Sequence, residues 1–550
     1  MASLATNTSI LGKKNARHLL RRATFVYTKN LIEQYALLTP AQALDLLFQE
    51  QPLSVNSPYD TTLYNGIEAG FWTETEPVIN YSNETYKSRI VAGWWWYNAI
   101  KSPNLKFKLA YFLSTRFTVN KEDSVGKRST SFFHHLRLLL HYSFGNYKTL
   151  AKKITLDNSM LYYLNNNTNT KTAPNQNYAR EFLELFTIGK GVQVGPGNYT
   201  NYTENDIVEA AKVLTGFRTK TDTYINDPET GIPKGYNQLS KHETNTKTFS
   251  SAFDNTSISP ATSDADMDRE LSDFVEMVFS KQATALNICR KLYIYFVKGT
   301  ITSEIETDII VPLATELKAN NYELSPTVRR LFQSLHFYDL DDSDSTDETI
   351  GGMIKAPIQQ VSEICTYLNA TIPDPNTNPN DFYNRFWNSF VHNTYLTLSD
   401  MLIFSPENVA GHFAYYKAPE FDKNWISAAT LIARYRLGES LIEGKNLINA
   451  NNNIYAKIDI VLVIKNSGIV SNPSDAFTLT SEICNALFAQ EPDTDRINYF
   501  MNSYLLQDYA TYYWKSAWTD YINTGNIKVI EPRLKALMTA ILRAPETQIF

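Results

Sequence analysis

The sequence predicts a mainly α, multi-helical globular protein with a small β-hairpin insertion. Apolar residues recur at three- and four-residue spacing over most of its 550 positions, the period of helices that bury one face. Alternating strand patterns are few. One stretch, Arg218 to Ser251, lacks helical period and carries Asp227, Pro228, Glu229, Thr230 and Gly231 in succession, a turn signal that predicts the hairpin. Hydrophobic residues at 43% and charged residues at 20% place the chain among ordinary globular proteins.

Short helices are expected over Lys13 to Leu20 and Ala41 to Gln49, the second with Thr39 as N-cap and Pro40 at its first position. Residues 51–82 lose periodicity and read as a long connection. Helical spacing resumes at Glu84 and takes in Trp94, Trp95 and Trp96. Side chains in succession point about 100° apart on a helix, so no more than two of the three share a face. They are read as anchors of helix packing, the alternative being an aromatic platform for a sugar or apolar ligand. Pro103 restarts the chain into a helix ending near Phe117, and Asn120 to Thr130 is a polar loop. Phe132 to His141 carries His134, His135 and His141 among apolar neighbours, which favours structural roles over a metal site.

The most chemically loaded stretch runs from Pro174 to Phe217. Its first helix, about Asn177 to Ile188, sets Tyr178, Phe182 and Leu185 on one side and Asn177, Arg180, Glu181 and Glu184 on the other. Gly189, Gly191, Gly195 and Gly197 end it and allow positive φ. Thr203, with Asp206 three residues on, caps a second helix. Further along, His242 stands beside Glu243, with Lys247 near. A histidine next to a carboxylate suits acid–base work, although exposed pairs of this kind are common. Asp264, Asp266, Asp268 and Glu270 imitate the start of a calcium loop without its glycine and closing glutamate, and read as an acidic helix N-terminus. Helical spacing covers Leu271 to Val297, Glu304 to Leu317 and Ser325 to Leu335. The acidic run Asp339 to Gly352 marks a lobe boundary, giving an N-terminal helical lobe over 1–338 and a C-terminal one over 353–550.

Acidic side chains number 57 and basic ones 51, a net charge of −6 that argues against a nucleic-acid partner. The local cluster Lys13, Lys14, Arg17, Arg21 and Arg22 reads as a solvated helix face. Cys289, Cys365 and Cys484 are odd in number and widely spaced, so they read as buried hydrophobes, with neither a disulfide framework nor a metal cluster. No apolar run reaches the length of about 20 residues needed to span a bilayer. The first 20 residues lack an apolar signal core, so the chain is expected in the cytoplasm, export by an unrecognised route being the alternative.

The blocks PNQNYAREFLELFTIG and YTENDIVEAAKVLTGF resemble the central motifs of a bacterial family, domain of unknown function 1800. Further blocks in the family's order are HLLRRATF at His18 to Phe25, LDNSMLYYLNNN at Leu156 to Asn167, HETNTKTF at His242 to Phe249, IKAP at Ile354 to Pro357 and SPENVAGH at Ser405 to His412. The resemblance takes in both lobes as one family domain. It also implies a partner, because members are often encoded beside a second family similar to alkaline phosphatases and sulfatases. Three departures stand out. Ser114 and Arg116 occupy positions where relatives carry histidines in a WHxHF block, Gln176 replaces a glutamate, and Phe217 replaces a tryptophan. The first two remove groups able to ligate metal or move protons.

The expected function is therefore a helical scaffold or a ligand- or partner-binding protein, working with a phosphatase- or sulfatase-like partner and holding a glycan or small polar ligand. Ligand-binding candidates are Asn177, Arg180, Lys247 and Asn408, with no cofactor or metal. The alternative is a hydrolase or lyase in which Glu181, Glu184 and His242 are the catalytic candidates, the paired carboxylates dividing acid and base roles.

Overall fold

Helices carry most of the chain in the computed structural model, which describes residues 2–64, 66–74, 83–121, 128–220, 223–342, 348–446 and 451–550. Parts of three expected connections, residues 75–82, 122–127 and 343–347, lie outside these.

The helix Glu84–Ala99 lies at the centre and is buried on every side from Ile90 to Ala99. All three tryptophans are buried, each in a different direction. Trp94 Nε1 donates to Val55 O at 2.7 Å, and Trp96 Nε1 donates to Ser362 Oγ at 2.9 Å. Trp95 meets Phe25 and Phe404 edge-on, with ring centres 5.4 and 5.2 Å apart. This helix packs against Ser129–His141 on one side and against the π-helical segment Asn380–Leu396 on the other. Buried residues from before 338 and after 353 thus join one connected core among the described residues.

The N-terminal basic cluster departs from its expected solvated face. Of this cluster, carried by the helix Gly12–Ala23, Lys13 and Lys14 are exposed, while Arg17, Arg21 and Arg22 are buried. Arg21 Nε donates to Glu363 Oε1 at 2.9 Å, and its terminal nitrogens reach the carbonyls of Phe488 and Ala486. Lys355 closes on the same carboxylate at 2.9 Å. Burying these charges costs several kcal/mol each unless paired, so their partners from the C-terminal half are what allow the helix to lie inside. Periodicity alone does not show whether a basic face meets water or carboxylates.

The hairpin forms around its turn. Ile225–Asn226 pairs antiparallel with Pro233–Lys234, and Phe217–Arg218 pairs with Tyr236–Asn237. Asp227 Oδ1 accepts the backbone N–H groups of Glu229 and Thr230 at 3.1 Å, and Gly231 takes a φ of +66°. A second hairpin, Asp60–Tyr64 with Ile67–Gly70, occupies the stretch read as a plain connection. The caps also form: Thr39 with Gln42 and Thr203 with Asp206 make reciprocal capping boxes. Among the described residues no helix is long and apolar enough to cross a membrane.

Candidate functional site

The helix Asn177–Glu181 continues as one π-turn, Phe182–Phe186, rather than as the uninterrupted α-helix expected. Tyr178, Phe182 and Phe186 fill the core, and the polar stripe faces outward. Arg180 binds Glu204 at the start of the second helix through both terminal nitrogens, at 2.6 and 3.2 Å. Glu184 accepts from Tyr202 Oη at 2.6 Å and from Lys190 Nζ at 3.0 Å, with Arg180 3.6 Å away. Burial and the Glu184 carboxylate push the Tyr202 hydroxyl's pKa up. The motif's two helices and glycine loop are thus tied by one network. Glu181 stands beside it without a hydrogen bond or ion pair among the described residues. Burial first, then the Glu184 charge, raise its carboxyl to about 7, against the pull of Arg180 and Lys190. Asn177 is exposed.

His242 and Lys247 lie elsewhere, fully shielded from solvent. Their common partner is Glu270 on the helix Asp264–Phe279, not the neighbouring Glu243. His242 Nε2 is 3.1 Å from Glu270 Oε2, Lys247 Nζ is 2.5 Å from Oε1, and Ala261 N donates to Oε2 at 2.7 Å. His242 Nδ1 is 2.8 Å from Thr215 O. This closed network fastens the hairpin region to the second helix of the motif and to Asp264–Phe279. Asn408 is exposed and donates to Tyr416 Oη at 2.6 Å. The structure therefore joins Arg180 to Glu184, joins His242 to Lys247, and gives Asn408 no contact with either pair.

A different site arises where three family blocks meet. Arg22 and Phe25 of HLLRRATF, Ile354 and Ala356 of IKAP, and the chain just beyond SPENVAGH line a small cavity of about 30 Å³. Lys108, on the helix Lys106–Ser114, enters it. Its ammonium group lies 4.6 Å from the centre of the Phe25 ring and 5.5 Å from that of Phe550. It is 5% exposed and has no hydrogen bond among the described residues. Burial, then the charge of Arg22, drive its pKa well down. Arg22 stacks over Phe550 at 4.5 Å and donates to Thr349 O at 2.7 Å, but its Nε has no partner among the described residues. Burial lowers its pKa to about 9. Gln359 Oε1 is likewise buried and unpartnered. Asp422 is the one acidic side chain among the described residues of the lining, its Oδ2 accepting Ile354 N at 2.6 Å, and burial raises its pKa. Tyr111, Tyr295, Tyr415 and Trp425 supply aromatic walls.

Native proteins pair nearly all buried polar groups, so the unpaired Arg22 Nε and Gln359 Oε1, with Lys108 on the same lining, single this cavity out as a candidate site. The signal in the sequence was faint: Lys108 shares a helix face with Tyr111 and Phe112, an aromatic stripe where a lysine is out of place. The family blocks were legible, but not their meeting point. Ser114, at the first of the two histidine positions of relatives, lines a smaller neighbouring cavity. Arg116, at the second, is buried and donates from Nε to Thr115 Oγ1 at 3.2 Å.

No curated protein and no solved structure matches the chain. A family model does, over residues 18–549, and its description is "Protein of unknown function (DUF1800)". Because that match takes in the cavity blocks and the central motif alike, the chain belongs to the DUF1800 family.

Proposed function

We propose that the chain is a noncatalytic helical binding protein whose interior cavity takes a small anionic ligand. The observation that carries this is Lys108, buried and without a hydrogen bond among the described residues, on the same lining as Arg22, whose Nε is likewise unpartnered. With Lys108 protonated, two cations stand against one side-chain carboxylate on the lining, that of Asp422, and call for further negative charge. A carboxylate, phosphate or sulfate would supply it and give both nitrogens an acceptor, while Gln359 Oε1 would accept from a ligand hydroxyl. Aromatic walls with a few polar groups are the usual make-up of small-molecule sites. The candidates named from the sequence for catalysis point the same way, because Glu184 and His242 are each held by structural partners.

The phosphatase- or sulfatase-like partner implied by the family resemblance handles esters that are themselves anions, which fits such a ligand. Exposed Asn177, partly exposed Arg180 and the exposed Val192 and Val194 of the adjoining loop offer that partner a mixed surface.

The test is calorimetric titration of the full chain with inorganic phosphate, sulfate and succinate. Saturable binding of one of them, lost in Lys108→Met and kept in Arg180→Ala, is expected. Affinity should fall as pH rises, since the bound anion needs Lys108 protonated. Absence of saturable binding by all three anions, or binding unaltered in Lys108→Met, would sink the reading. A second reading, hydrolase or lyase, is favoured by the unpaired Glu181 with its raised pKa. It requires turnover that disappears in Glu181→Gln.

A further inference from the structure

Two histidines from distant parts of the chain line one small cavity of about 20 Å³, and both are held in the same way. His135, on the helix Ser129–His141, has Nδ1 3.0 Å from Asp157 Oδ1. His412, closing the SPENVAGH block, has Nδ1 3.3 Å from Glu407 Oε2. They are 1% and 5% exposed, and the Nε2 of each is buried without a hydrogen-bond partner among the described residues. A carboxylate only accepts, so in the neutral ring the proton sits on Nδ1 and Nε2 keeps its lone pair. With Nδ1 engaged, Nε2 is the nitrogen that each of these lining histidines has left for a ligand.

The rest of the lining also offers acceptors. Ser114 Oγ donates to Tyr111 O at 2.7 Å, Thr115 Oγ1 to Phe112 O at 2.7 Å, and Thr118 Oγ1 to Ser114 O at 3.4 Å. Their protons are spent on backbone carbonyls, so oxygen lone pairs remain. Asp157 and Glu407 place two negative charges behind the imidazoles, and Arg116, bonded to Thr115, places one positive charge at that wall.

We propose that His135 and His412 form a binding site for a first-row divalent cation such as Zn²⁺, with Nε2 of each as ligand. Imidazoles backed by carboxylates through Nδ1 are the arrangement that orients and strengthens histidine ligands in metal sites. Among the described residues no three His, Cys, Asp or Glu side chains form a ready metal cage, so water and the hydroxyl oxygens of Ser114 or Thr118 complete the coordination. The site is separate from the Lys108 cavity and stands whether or not that cavity binds anions.

The experiment uses the full chain titrated with Zn²⁺ alone in a calorimeter, and with Cu²⁺ under electron paramagnetic resonance. One Zn²⁺ per chain is expected, weakened at least tenfold in His412→Gln and in His135→Gln, and about tenfold in Glu407→Gln. His141→Gln, an exposed histidine on the same helix as His135, should bind as the parent does. Nitrogen hyperfine structure should report two imidazoles in the parent and one in His412→Gln. Should His135→Gln fail to fold, the His412→Gln spectrum decides alone. Absence of Zn²⁺ uptake, affinity unchanged in His412→Gln, or loss in His141→Gln instead would overturn the assignment and leave the cavity to water.

Discussion

Arg180 holds both carboxylate oxygens of Glu204, at 2.6 and 3.2 Å, and so ties the first helix of the central motif to the start of the second. The two side chains are 33% and 44% exposed, and solvent screening keeps such pairs modest, up to about 1 kcal/mol even with bidentate geometry. Arg180→Ala should therefore lower stability by roughly 1 kcal/mol, and the loss should shrink in 0.5 M salt. Thermal unfolding at two salt concentrations checks this. A salt-independent loss of several kcal/mol would mean that the arginine stem packs more than its charge binds.

Glu270 presents the opposite case, since it, Lys247 and His242 are all fully buried. Removing one member of a buried ion pair strands the other charge, at a cost of about 3–5 kcal/mol. Glu270→Gln should thus destabilise far more than Arg180→Ala. The double variant Glu270→Gln with Lys247→Met should recover part of the loss, because no lysine charge is left stranded. A double variant less stable than Glu270→Gln alone, measured by denaturant unfolding, would show that the lysine stem or its bond to Glu243 O matters more than the charge balance.

Glu181 predicts a pH dependence of definite sign. Its folded pKa of about 7 lies above the ordinary 4.5, so the folded chain holds this proton more tightly than the unfolded chain. The resulting stability is complete below pH 4.5 and is lost as pH rises through 7. Glu181→Gln stays neutral throughout. It should match the parent near pH 4 and exceed it at pH 8, by about 1 kcal/mol once solvent screening is allowed for. Melting curves at the two pH values give the comparison, and an equal difference at both would contradict the assigned titration.

Local signals were legible in the sequence where the partners are local. The capping boxes at Thr39 and Thr203 and the turn at Asp227 each involve residues within three positions, and all form. Partners set by tertiary packing were not. His242 reads beside Glu243 but pairs with Glu270, which sits on a helix of its own. Arg21 and Arg22 read as a solvated face because nothing nearby shows that Glu363 and Asp422 will lie opposite. The same limit hid Lys108, whose cavity is assembled from residues near 25, 110, 355, 420 and 550.

Gly93 shows how closely the core around the three tryptophans is filled. A methyl group built there would lie 2.7 Å from Trp387 Cδ1 and 2.8 Å from Cγ, and the Trp387 indole is held by its donation to Arg89 O at 2.7 Å. In a free helix, alanine for glycine gains about 1 kcal/mol. Overpacking a filled core costs about 1–3 kcal/mol, and here the obstructing atoms belong to a rigid, anchored ring that has no flexible end to yield. Gly93→Ala should accordingly destabilise by about 1–2 kcal/mol net of the helical gain. The smaller ring of Trp387→Phe makes room, so the double variant should be more stable than the sum of the single losses, a positive coupling of contacting residues. Strict additivity in that cycle would mean that the helix Glu84–Ala99 shifts to relieve the contact, and that the packing of Trp94, Trp95 and Trp96 is looser than these distances imply.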